Sequence, residues 1–221
     1  MILADVFSFL PILLKAAIVT IEVTVGSLLL STLLGLVLAI MKVSPTQLLS
    51  VPASVFINVI RGLPIIVQLF YIYFVLPGMG IQLTAFQAGI IGLGIAYSAY
   101  QAENFRAGIQ AIDPGQIEAA KSIGMKGPLI MRRVILPQAI RITLPPYGNT
   151  TVMMLKDSSL VSTITVAEMT RAGQLLAAST FENMTVYTLV ALLYLALSLP
   201  LIFGVNRLEK HFGQGNRRRD K

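Results

Sequence analysis

No charged side chain occurs between Arg61 and Glu103. A stretch of that length cannot supply the surface of a water-soluble fold. In a bilayer, by contrast, a charge at the hydrocarbon centre costs at least about 2.5 kcal/mol, so uncharged runs mark the segments that belong there. Two further runs, between Glu22 and Lys42 and from Asn183 to Asn206, repeat the pattern. Only 12% of the residues are charged and 55% are hydrophobic, against roughly 25% charged in soluble domains. The chain reads as an all-α integral membrane protein.

At about 20 apolar residues per span, a chain of 221 residues holds about five transmembrane helices in a single domain, 1–221, with no room for a catalytic unit. The first is expected from near Ile12 to Lys42, the second from about Val55 to Leu76 and the third from about Leu83 to Phe105. The turn Pro77-Gly78-Met79-Gly80 separates the last two. The fourth is expected from about Ile142 to Val166, interrupted by Lys156 and Asp157, and the fifth from Asn183 to Asn206. The chain opens Met-Ile-Leu-Ala-Asp, without a basic leader or a following cleavage pattern, so the first span is expected to be retained. With no cysteine, disulfides, thiolate metal sites and redox dithiols are excluded, and no metal site is expected.

The formal net charge of +7 is unevenly placed. Lys42, Arg106, Lys121, Lys126, Arg132, Arg133, Arg141 and the tail Arg207, Lys210, Arg217, Arg218, Arg219 and Lys221 fall on one side of the five-span arrangement. Lys15 and Arg171 alone fall on the other. Basic residues favour the cytoplasmic side, so the N-terminus is expected outside, with the loop 106–141 and the tail 207–221 in the cytoplasm. The tail is read as an anchor at the membrane lipid, not as a nucleic-acid site.

The loop 106–141 carries its own folding signals. Asp113 is a good N-cap, Pro114 suits the first helical position, and Gln116 can complete a capping box. The helix ends at Gly124, a natural left-handed residue. A second start follows at Gly127-Pro128, and Pro137 is expected to stop the amphipathic run that ensues. Ala119 and Ala120 would let another backbone approach closely, while Met125, Leu129 and Ile130 offer apolar contact. Such an elbow asks for a partner.

Glu118-Ala119-Ala120-Lys-Ser122-Ile-Gly124, followed by Val134-Ile-Leu136-Pro137, resembles the EAA loop of binding-protein-dependent ABC importer permeases, with Val134 where the family has Ile. Ile60-Arg61-Gly62-Leu63-Pro64, Ala102-Glu103-Asn104-Phe105-Arg106, Asp113-Pro114-Gly115-Gln116 and Leu155-Lys156-Asp157-Ser158-Ser159 are similar to the polar amino acid branch of that family. The resemblance covers nearly the whole chain. It implies a type I permease fold in the bacterial cytoplasmic membrane. It implies a coupling helix, with Glu118, Ala119, Ala120, Ser122, Gly124, Met125 and Pro137 its marks, docked on a cytoplasmic ATPase present in two copies. It also implies a second permease, identical or homologous, and an external amino acid-binding protein. No Walker-type Gly-x-x-x-x-Gly-Lys-Ser/Thr occurs in the chain, so no cofactor is expected here, and ATP and Mg belong to the partner.

Polar groups within the spans are the default candidates for a substrate path. Lys156, Asp157, Ser158, Ser159 and Ser162 form one group; an acid and several hydroxyls suit the ammonium and carboxylate of an amino acid. Tyr97, Ser98 and Gln101 form a second, with Gln68 a lone third. Glu103 and Arg106 can pair along one helix face, and Arg61 can snorkel to headgroups. An intramembrane Ser-His protease is excluded because the one histidine, His211, lies in the tail. A carrier driven by an ion gradient is the alternative; it would need no docking loop.

Overall fold

The computed structural model describes residues 2–213, with the side chains of residues 6–212. The tail residues Arg217, Arg218, Arg219 and Lys221 lie outside the described residues. Among the described residues all regular structure is helical. α1 (Ile2–Val43) is followed by α2 (Gln47–Gly62), α3 (Ile65–Phe70), α4 (Ala85–Gln110), α5 (Pro114–Ser122), α6 (Gly127–Ile130), α7 (Leu136–Asp157), α8 (Met169–Thr180) and α9 (Asn183–Gly213).

The expectation of about five transmembrane helices does not hold. By length and composition two helices can cross a membrane, within α1 (Val6–Val43) and α9 (Asn183–Phe212), and three if the bent pair of α2 and α3 counts as one span. α4 is long enough, but Gln87, Ser98, Gln101 and four glycines dilute its apolar content. α7 carries Asn149, Thr150, Thr151 and two internal prolines, and closes on Lys156 and Asp157. These helices gain their place from partners rather than from hydropathy.

The expected second span is broken. Pro64 has no N–H to give and keeps Leu63 extended (φ −102°, ψ 137°). The axes of Gln47–Gly62 and Ile65–Met79 therefore differ by 104°. Carbonyls freed at the break are taken up by Gln68, whose Nε2 donates to Ile60 O at 2.9 Å and Leu63 O at 3.0 Å. α3 then runs through a wide π turn (Tyr71–Val75) and a tight turn (Leu76–Met79) to Gly80, at φ +88°.

α1 and α4 make the central contact. A Cβ on Gly35 would stand 3.0 Å from Ser98 O, and one on Gly94 would stand 2.6 Å from Leu30 Cδ2, so the two backbones approach as only glycine allows. Ser27 Oγ adds a bond to Ile90 O at 3.2 Å between the same helices. The main core, built on Val23, Leu69, Leu93, Tyr97, Met154 and Ile164, joins these helices to α3 and α7.

The fourth expected span is also redrawn. Pro137 does not end a helix; it sits in the first turn of α7, after a π turn over Met131–Ile135. A proline ring clashes with the carbonyl four residues back in a regular helix, and the wider turn relieves that clash. At the far end α7 stops at Asp157, and the chain tightens into a 3₁₀ segment, Ser158–Ile164, that closes on Thr165 at φ 68°. Lys156 and Asp157 thus stand at a helix terminus, not in mid-span.

Candidate functional site

The end of α7 meets the middle of α4. Tyr97, 2% exposed, donates its hydroxyl to Asp157 Oδ2 at 2.7 Å. One helical turn on, the Tyr100 ring lies 5.9 Å from that of Tyr97, and the Arg61 guanidinium stands 5.5 Å over the Tyr100 ring. Arg61 is therefore held by a cation–π contact. A seam runs from a half-buried carboxylate through two phenol rings to a guanidinium, across α7, α4 and α2.

Of the residues expected to line a path, only Tyr97 and Asp157 are brought into contact. Lys156 is exposed and Ser159 half-buried. Ser158 and Ser162 are buried, with Ser158 Oγ donating to Leu155 O at 2.6 Å. Ser98 is fully buried and donates to Ile95 O at 2.7 Å within its own helix. Gln101 Oε1 accepts from Asn104 at 3.1 Å. Gln68 serves the break before α3, as described. Two buried amide atoms, Gln68 Oε1 and Gln101 Nε2, have no partner among the described residues.

A carboxylate that the sequence did not single out lies beyond the 3₁₀ segment. Glu168 is fully buried and caps α8. Its oxygens accept from the backbone N–H of Thr170 at 2.9 Å and of Arg171 at 2.8 Å, and from Tyr194 Oη of α9 at 2.6 Å. Met169 N donates to Thr20 Oγ1 of α1 at 3.2 Å. Glu168 thus ties α8 to α9, and its neighbour Met169 ties α8 to α1. Glu is not a favoured N-cap, and Tyr194 lies far along the chain, so no local signal announces it.

The elbow is self-supporting. Asp113 caps α5 through Gly115 N at 2.7 Å. Gln116 does not complete a capping box; its Oε1 instead accepts from Gln138 of α7 at 2.7 Å. Gly124 turns the chain at φ +80°, a region that other L-residues enter at a cost. Ala120, Ile130 and Ile135 bury together with Ile112 and Ala139, and Met125 packs against them. Ala120 and Ile130 therefore serve the base of the elbow rather than its outer surface. What remains outward is Glu118, Ala119, Ser122, Ile123 (78% exposed) and Leu129. Ile123 was missed because it lies beside the Gly124 stop signal.

At the foot of the bundle Glu103 binds two cations. Its Oε1 meets Lys42 Nζ at 2.5 Å and its Oε2 meets Arg106 Nη2 at 2.7 Å. Arg106 also donates to Gln110.

Helices apolar enough to cross a membrane, a polar seam among the helices and an exposed elbow are the features of a helical membrane protein. The chain belongs to the family of binding-protein-dependent transport system inner membrane components, which it matches over residues 31–215. It is similar to the probable amino-acid ABC transporter permease protein y4tG of Sinorhizobium fredii, with 40% identity over 197 residues, 89% of this chain and 85% of that one. It is also 40% identical over 180 residues to the probable glutamine ABC transporter permease protein GlnM of Bacillus subtilis, covering 81% and 83% of the two chains. A crystal structure of an amino acid ABC transporter with histidines contains a chain of the same fold, at TM-score 0.89 and 39% identity, covering 94% of this chain and 97% of that one. This chain is accordingly a multi-pass transport permease subunit and not an enzyme.

Proposed function

We propose that the chain and a second permease subunit form the alternating-access path of an importer for polar amino acids. A separate cytoplasmic ATPase drives it through the elbow, and ATP and magnesium chemistry belong to that partner. An external binding protein delivers the substrate. The observation that carries the reading is the elbow. Its inner face is filled by its own cluster around Ala120, yet Ala119, Ile123 and Leu129 remain open. Apolar side chains held outward by a rigid base suit a docking lever. Relatives named as amino-acid and glutamine permeases support the substrate class.

In this reading the path runs along the polar seam. Asp157 offers an acceptor to a substrate ammonium, and Arg61, at the other end of the tyrosine pair, offers donors to a carboxylate at a second point along the path. Half-buried Ser159, two residues on from Asp157, and exposed Lys156 extend the polar wall in this reading. The excess of Lys and Arg on the elbow side supports a cytoplasmic elbow and C-terminus with the N-terminus outside. Proteoliposomes test the reading: uptake is expected only when the ATPase, ATP and the binding protein are all supplied. Accumulation by the permease chain alone would overturn it.

A further inference from the structure

The place of Asp157 in the bundle is not set by its own helix. α7 holds Pro145 and Pro146 and is not apolar enough to cross a membrane by itself, so neighbours must fix its end. Tyr97 is one of them, through its bond to the Asp157 carboxylate. Yet α4, which carries Tyr97, is no more apolar than a helix that depends on partners. A fixed reference has to come from α1 or α9, the two helices suited to cross a membrane unaided.

That reference reaches Asp157 through the chain that follows it. The 3₁₀ segment Ser158–Ile164 is closed by backbone bonds from Thr165 N to Ser162 O at 3.1 Å and from Val166 N to Val161 O at 3.2 Å. Val161, Ser162, Ile164 and Val166 are all buried, so the segment is a stiff link between α7 and α8. Tyr194 of α9 stands beside both of its ends. Its hydroxyl donates to Glu168 Oε2 at 2.6 Å and shares a 3.2 Å bond with Thr170 Oγ1. The same hydroxyl lies close to Ser158, the buried residue after Asp157. Glu168 is fully buried, so water cannot replace the bond. Elsewhere α9 meets its neighbours through apolar packing, with Val190 against Gly173 and Val205 against Gly148. Apolar burial is non-directional. A hydrogen bond is directional and fixes register along the helix.

We infer that Tyr194 is a positioning residue for transport: from α9 it fixes the end of α7, and with it the place of the Asp157 carboxylate on the path. The inference rests on the reading of the seam as the path, and adds to it a residue from a helix outside the seam. A tyrosine that served stability alone would act without regard to Asp157. A positioning tyrosine acts through it.

A double-mutant cycle separates the two. The complete importer in proteoliposomes would be given glutamine, arginine or histidine, whichever the wild type accumulates most. Uptake efficiency is read as the maximal rate divided by the half-saturating concentration for the wild type, Tyr194→Phe, Asp157→Asn and the double variant. The binding protein is the same throughout, so its own affinity cancels in the ratios. Tyr194→Phe should lower efficiency in the wild-type background, and by a factor at least about two smaller in the Asp157→Asn background, since groups in one network couple by at least that much. Equal factors in the two backgrounds, or undiminished efficiency in Tyr194→Phe, would overturn the positioning role. Unaltered uptake in Asp157→Asn would overturn the seam as the path, and the role with it; a clear loss in Asp157→Asn beside equal factors overturns the role alone. Should Asp157→Asn transport too little to measure, Tyr97→Phe, which frees the same carboxylate, takes its place in the cycle. Should Tyr194→Phe not fold, Glu168→Gln weakens the same bond at similar volume and repeats the test. If the chain transports without an ATPase, the same cycle is read on the chain alone, so the driving force does not enter.

Discussion

The elbow and the polar seam both hang on α7, one at each end, yet they are held in opposite ways. The elbow is built from near neighbours: Asp113 caps through Gly115, Gly124 turns the chain, and the buried cluster draws mainly on residues 109–139. The seam is built across distance. Tyr97 reaches Asp157 and Arg61 reaches Tyr100, and beyond the seam Glu168 reaches Tyr194 in the same way. A local unit keeps its shape while its support moves, which suits a lever. A unit whose bonds cross between helices changes whenever those helices shift, which suits a path that must open and close.

The largest effect expected is on the most buried of the ties that cross between helices. Glu168→Ala leaves two N–H groups of α8 and the Tyr194 hydroxyl without their acceptor. Loss of the cap and of the buried bonds should cost about 3 kcal/mol, seen as a lowered unfolding temperature in detergent. Glu168→Gln keeps one amide oxygen as acceptor and should recover part of the loss. If the alanine variant unfolds like the wild type, the distant ties do not hold the bundle and the contrast with the elbow fails.

Gly124→Val attacks the other side of the comparison. A β-branched residue at φ +80° adds about 2 kcal/mol of strain, confined to the turn between α5 and α6 because no other group lies within 4 Å of a Cβ there. The unfolding temperature should therefore fall by less than in Glu168→Ala, with the bundle still folded, while uptake per ATP hydrolysed drops. Coupled uptake at the wild-type ratio would remove the elbow from the drive train.

The same difference in construction decides how much could be read from the sequence. α5, its cap at Asp113 and the left-handed Gly124 were legible because capping and turn chemistry act within a few residues. The uncharged runs located most of the helices but overcounted the spans, because α4 and α7, read as spans, carry polar residues and prolines that leave them less apolar than α1 and α9. Gln116 looked like half of a capping box and instead bonds Gln138, a partner 22 residues away. Gln68 looked like a path residue and instead bonds the carbonyls freed by the Pro64 break. Glu168 was invisible because its meaning depends on Tyr194, which only the fold brings near.

Within the seam, Tyr97→Phe isolates one bond. The ring and its packing stay, while Asp157 loses the donor at 2.7 Å. A hydrogen bond to a charged group contributes about 1.5 kcal/mol or somewhat more to stability, so the unfolding temperature should fall, by less than in Glu168→Ala, and the half-saturating substrate concentration should shift as Asp157 loses its fixed position. Asp157→Asn should shift it further, since the acceptor charge itself is removed. A Tyr97→Phe chain with unaltered uptake kinetics would reduce the tyrosine to a core residue.

Lys42→Met should do least. Glu103 keeps Arg106 on Oε2 through two N–H donors, at 3.0 and 2.7 Å, so its carboxylate stays paired when Lys42 is gone. The helices that Lys42 and Glu103 join, α1 and α4, are already locked by the close approach at Gly35 and Gly94. A partly exposed ion pair of this kind is worth about 1 kcal/mol or less, and thermal unfolding should move little. Uptake should also be nearly unchanged if seam and elbow work as separate units. A marked loss of uptake with an intact bundle would instead place the Lys42–Glu103–Arg106 group between them, as the element through which motion of the elbow reaches the path.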